Sequence, residues 1–89
     1  MSDLMNSIVK KLPVKKGWKK PELKESAFFG SYIKVSRVVG DNVYQIIIRE
    51  EWSKFVINRF SNRERNFHAN FYKGEGKALE MLLGIYKVL

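Results

Sequence analysis

From Tyr32 to Tyr72 the chain alternates apolar and polar residues with a period of two, a pattern that an antiparallel sheet satisfies and a helix does not. Successive side chains of a strand point to opposite faces, so each run sorts its residues into an inward and an outward set. A first strand is expected over 31–39, with Ile33 and Val35 on one face and Tyr32, Lys34 and Ser36 on the other. Gly40, Asp41 and Asn42 supply hairpin-turn chemistry. A second strand over 43–50 sets Tyr44, Ile46 and Ile48 against Gln45, Ile47 and Arg49. A third run, 54–60, has apolar residues at Phe55, Val56, Ile57 and Phe60, so both faces are represented and its register is open. Ser61 to Asn66 reads as a turn, and a fourth strand over 66–72 sets Phe67, Ala69 and Phe71 against Asn66, His68, Asn70 and Tyr72.

The flanks change period. Leu4, Met5, Ile8, Val9 and Leu12 fall at helical spacing, with Ser2 as a cap, Asp3 in the first turn and Pro13 as the stop. Residues 13–30 hold both prolines and Gly17, and carry Lys15, Lys16, Lys19, Lys20 and Lys24 around Trp18; they read as a basic loop. Gly74 and Gly76 precede a closing helix over 76–89. Its polar positions, Lys77, Glu80, Gly84 and Lys87, form one narrow stripe. A surface helix needs an apolar stripe of only about 100°. This helix has much more and must be covered on two sides, by the sheet and by either the first helix or a second copy of the chain.

The expected architecture is therefore α+β, in one domain over 1–89. A short helix (1–12) and a basic loop (13–30) precede a four-stranded antiparallel sheet (31–72), and a C-terminal helix (76–89) packs on one sheet face. Eighty-nine residues allow one domain. The absence of cysteine removes disulfides and thiolate metal sites. The N-terminal segment lacks a signal-peptide pattern, and no apolar run approaches a membrane span. These features give the expectation of a cytoplasmic or nucleoid-associated protein with no membrane partner.

Charge gives the functional direction. Seventeen Lys and Arg against nine Asp and Glu leave a net +8. Such an excess concentrates polyanions near the surface. Residues 1–26 alone hold seven lysines against three acids. Catalysis has little to work with. His68 is the only histidine, so a His-based metal cluster is excluded. Glu50 and Glu51 are chain neighbours that a strand would point to opposite faces, so they do not form an acid/base pair. Lys73-Gly74-Glu75-Gly76-Lys77 lacks the spacing and the hydroxyl of a phosphate loop. At most its backbone N–H groups, with Lys73 and Lys77, would hold one phosphate. No enzyme activity, cofactor or metal is expected.

The outward sheet face mixes cations, aromatics and amides: Tyr32, Lys34, Gln45, Arg49, His68, Asn70 and Tyr72. Such mixtures suit single strands, because bases stack on rings while Lys and Arg neutralise phosphate; the alternative is an ordinary solvated face. Lys15, Lys16, Lys19 and Lys20 around Trp18, and Arg59, Arg63 and Arg65 around the third turn, extend the basic surface. Trp52 is expected to pack at the sheet edge. Leu79, Leu83 and Tyr86 are the expected self-association residues of a homodimer. The nucleic-acid site thus comprises Lys15, Lys16, Trp18, Lys19, Lys20, Tyr32, Lys34, Arg49, Arg59, Arg63, Arg65, His68 and Tyr72. The alternative function is a protein-interaction module, a small inhibitor or accessory subunit docking on an acidic protein.

Tyr32-Ile33-Lys34-Val35-Ser36-Arg37, followed by Ile48-Arg49-Glu50-Glu51-Trp52, resembles the first hairpin of the positive-cofactor-four type of single-stranded-DNA-binding transcriptional coactivators. Lys16-Gly17-Trp18-Lys19-Lys20 is similar to a stretch before the sheet in bacterial members. The resemblance covers about half the chain and implies a curved four-stranded sheet with a C-terminal helix, assembled as a dimer that binds single-stranded DNA. The Phe-rich third strand, the extra first helix and the segment before the last helix depart from that pattern.

Overall fold

The computed structural model describes residues 3–28, 30–62, 67–72 and 77–89, with backbone only at Phe71 and Tyr72. The elements run α1 (Asp3–Lys11), β1 (Glu22–Ser26), β2 (Gly30–Val39), β3 (Asn42–Glu51), β4 (Lys54–Ser61), β5 (Phe67–Tyr72) and α2 (Ala78–Val88). The α+β class is as expected. The sheet has five strands where the sequence led us to expect four, in the simple order β1-β2-β3-β4-β5 with every pairing antiparallel.

The additional strand, β1, lies in the segment read as a basic loop. Its sequence, Glu22-Leu23-Lys24-Glu25-Ser26, has one apolar residue, so it carries no period of two. Pairing with β2 makes it a strand: Leu23 stands opposite Ile33 and packs on the core, while Glu22 and Lys24 stand opposite Lys34 and Tyr32. A charged edge strand of this kind resists pairing with other chains.

The inward face of the sheet is a set of cross-strand rows. Ile33, Ile48, Ile57 and Ala69 form one, and Val35 and Ile46 begin the next. Met5, Ile8 and Leu12 from α1 and its exit, and Ala78, Leu82 and Tyr86 from α2, close over these rows in a single buried cluster. Each fully buried Ile or Leu contributes roughly 1.5–3 kcal/mol. The open register of β4 resolves here. Phe55 and Ile57 point into the cluster, whereas Val56, though fully buried, lies on the opposite face and outside it.

The apolar excess of α2 is used within the chain. Ala78, Leu82 and Tyr86 are buried, while Leu79, Leu83, Ile85 and Leu89 pack against the same core. Its exposed residues are the polar stripe together with Met81 and Val88. Tyr86, expected at a self-association surface, lies wholly inside, and its hydroxyl donates to the Pro13 carbonyl at 2.9 Å.

Candidate nucleic-acid interface

The face of the sheet away from the helices also forms rows. One runs Lys24, Tyr32, Arg49, Val56, Asn70; the next runs Glu22, Lys34, Ile47, Asn58, His68; a third holds Ser36, Gln45 and Phe60. The middle of this face is recessed. Tyr32, Lys34, Gln45, Ile47, Arg49, Asn58 and Phe60 line an open depression of about 450 Å³. Two rings, two amides and two cations thus surround one isoleucine.

Hydrogen bonds and ion pairs order this surface. Asn58 Nδ2 and His68 Nδ1 are in contact; with Asn58 donating, the imidazole carries its own hydrogen on Nε2. Arg49 Nη1 approaches Glu51 at 3.5 Å, two residues along the same face. Lys24 Nζ and Glu22 make a similar pair at 3.3 Å. Exposed pairs of this sort contribute at most about 1 kcal/mol and exchange readily for other partners.

Only part of the basic loop borders this face. The Lys19 N–H donates to the Ser36 carbonyl at 2.9 Å, so the segment runs beside β2 with Lys19 exposed, while Lys20, also exposed, lines a cleft with Val9, Leu12 and Leu23 on the helix side. Lys16 is also exposed. Lys15 is not available in the same way. Its ammonium lies 5.1 Å from the Tyr86 ring centroid and 5.9 Å from that of Trp18, and donates to the Tyr86 carbonyl at 2.7 Å. It serves the carbonyl end of α2, where a cation is favoured. Burial, and secondarily the charge of Arg59, lower its pKa from the ordinary lysine value. Burial pushes the neighbouring Tyr86 phenol up to about 12.

Arg59 and Trp18 fall on the helix side of the sheet. Arg59 stands opposite Ile46, an inward residue, and so points away from the concave face. Trp18 packs on the core and tilts against Tyr44 with ring centroids 6.4 Å apart. With Arg37, Val39 and Leu89 these residues line a separate cleft of about 220 Å³. The thirteen expected contact residues therefore do not make one surface. Tyr32, Lys34, Arg49 and His68 share the concave face, and the backbone of Tyr72 pairs with that of Lys54. Arg63 and Arg65 lie outside the described residues.

The register adds Gln45, Ile47, Asn58 and Phe60 at the centre of the depression. Gln45 and Ile47 follow from the alternation in β3. Asn58 and Phe60 depend on the register of β4, which the sequence left open.

One end of the sheet holds a different surface. Trp52, expected to pack at an edge, is instead 92% exposed, in the two-residue turn between the paired residues Glu51 and Lys54. Its φ is 56°, a conformation that favours glycine and costs a bulky residue on the order of 1–2 kcal/mol. Phe28, in the β1–β2 turn at the same end, is 96% exposed, and its N–H donates to Ser26 Oγ at 3.1 Å.

No helix among the described residues is long and apolar enough to cross a membrane. Compared with known proteins, the chain matches no family model, no curated protein and no solved structure.

Proposed function

We propose that this chain binds single-stranded nucleic acid across the open face of its sheet. The observation that carries the reading is the concavity that places Tyr32 and Phe60 beside Lys34, Arg49, Gln45 and Asn58. Rings accept bases by stacking, the two cations meet phosphates, and the amides offer both donors and acceptors to base edges. The net charge of +8 draws the polyanion in, and the exposed Lys19 beside β2 lengthens its path. A shallow, ring-lined face reaches bases only where they are unstacked and unpaired, so single strands are the preferred ligand, and such a ligand would place the protein in the cytoplasm or on the nucleoid. The resemblance to the single-stranded-DNA-binding coactivators points the same way.

Self-association and docking on an acidic protein are the other readings; Ala78, Leu82 and Tyr86 of α2 are buried in the chain's own core, while Met81 and Val88 stay exposed.

The test is fluorescence anisotropy with labelled single-stranded and duplex oligonucleotides of equal length at several salt concentrations. Tighter, salt-sensitive binding of the single strands is expected. Equal affinity for duplex, or affinity indifferent to salt, overturns the reading.

A further inference from the structure

Phe28 and Trp52 come from turns that lie 24 residues apart in the chain and at the same end of the sheet. Together with Arg49, Glu50 and Glu51 they line a second depression of about 450 Å³. Arg49 lines both this depression and the concave face.

Neither ring has a structural reason to be where it is. Both are more than nine-tenths exposed, so they contribute almost nothing to the core. Trp52 also holds a backbone conformation that glycine adopts without penalty. A large exposed aromatic kept at an unfavourable φ is a feature that packing does not demand, and strain of this kind collects at ligand-contacting sites.

The charge around the rings selects what they can hold. Glu50 and Glu51 stand beside Arg49, and Glu51 is paired with it. The Glu51 carboxylate offsets part of the Arg49 charge here, so the rings rather than a cation dominate this end. A neutral, flat, unpaired base suits it: the rings stack on the base, and carboxylate oxygens accept from its exocyclic N–H groups.

We propose that Phe28 and Trp52 form an aromatic clip that takes one unpaired nucleobase at the end of the strand's path, where its phosphates have already passed Lys34 and Arg49. The clip rests on the single-strand reading above and deepens it: the open face supplies charge and general stacking, and the clip supplies a base site that duplex cannot enter.

The experiment compares the wild type with Trp52→Gly and Phe28→Ala, measuring single-strand affinity, its salt slope and the thermal midpoint. Trp52→Gly is expected to lose about 5- to 150-fold in affinity, the range for one stacked base. The salt slope should be unchanged, and the midpoint should hold or rise because glycine tolerates the turn. Phe28→Ala should lose affinity in the same direction. An oligonucleotide with one abasic position at the clip should bind the wild type more weakly and Trp52→Gly no more weakly than the intact strand does. Single-strand binding with a steep salt slope that neither substitution changes overturns the clip and leaves the open-face reading standing. A wild type that binds no single strand overturns both. Affinity lost only together with a lowered midpoint in both variants makes the rings structural and also overturns the clip.

Discussion

The two faces of the sheet are written in the same strands, one residue apart, and they have opposite chemistry. On one side Ile33, Ile48 and Ile57 line up across β2, β3 and β4 and are fully buried under two helices. One residue along, Lys34, Ile47 and Asn58 line up across the same strands on the other face and are only half-buried. A slip of a single residue would exchange the two sets, so the burial of the first row fixes the position of the second. The core and the candidate site are therefore one structural decision. Apart from Val56, the fully buried residues of the sheet lie on one face, and the other carries the residues of the candidate site.

The sharpest way to break that contrast is to truncate neighbours. Ile48→Ala should cost about 2–5 kcal/mol of folding stability in urea denaturation, and Ile47→Ala only about 1 kcal/mol. Equal costs would mean that the open face is a second core.

The buried side should also respond to alkali. The Tyr86 phenol titrates at about 12 in the folded chain, above its unfolded value near 10. Between those values the unfolded chain has lost a proton that the folded chain keeps, so stability falls as pH rises, by on the order of 2 kcal/mol. Lys15 works in the opposite sense: its lowered pKa means that the unfolded chain binds more protons, which raises stability as pH climbs toward 10.5. Denaturation midpoints from pH 9 to 12 should therefore decline overall, and Tyr86→Phe should remove most of the decline.

On the open face the effects should move from folding to binding. Tyr32→Ala should lose about 1–3 kcal/mol of single-strand affinity in anisotropy titrations, with a much smaller change in stability. Unfolding of this variant would return Tyr32 to the core. If five or six cations meet phosphates, log affinity against log salt should have a slope near −4, and Lys34→Glu should flatten it by at least about 0.7. The smallest effect is expected outside both faces. Val88 is 84% exposed on α2, so Val88→Asp should change stability by less than about 0.5 kcal/mol. A fall in molar mass by light scattering with this variant would show that α2 is covered by a second copy after all.

The sequence made much of this legible because alternation is a strong signal wherever one face is buried. Ile33, Val35, Ile46 and Ile48 announced β2 and β3 and, by parity, put Tyr32, Lys34 and Arg49 on the open side. The signal failed where a strand owes its form to a neighbour: β1, with Leu23 as its one apolar residue, is extended because β2 offers it an edge. It was ambiguous in β4, where Val56 and Phe60 are apolar on the open face, so no local pattern separates that face from the core side occupied by Phe55 and Ile57. Charge counting was a poor guide to placement. Lys15 and Arg59 belong to the same basic excess as Lys34, yet a lysine can be held over two rings and an arginine can lie on the helix side of a strand. Trp52 was misplaced for a related reason. Tryptophan is usually a packing residue, and nothing in its flanking sequence reveals a turn at positive φ.

The hydrogen bond from Tyr86 to Pro13, and that from Lys15 back to Tyr86, join positions more than seventy residues apart. During synthesis α1 and its exit leave the ribosome before the sheet and then wait, with Met5, Ile8 and Leu12 lacking their full cover, until residue 86 has emerged. The hairpins can pair as they appear, but the lock on the first segment forms last. An interruption of translation before α2 would thus leave a sheet whose apolar face is half roofed.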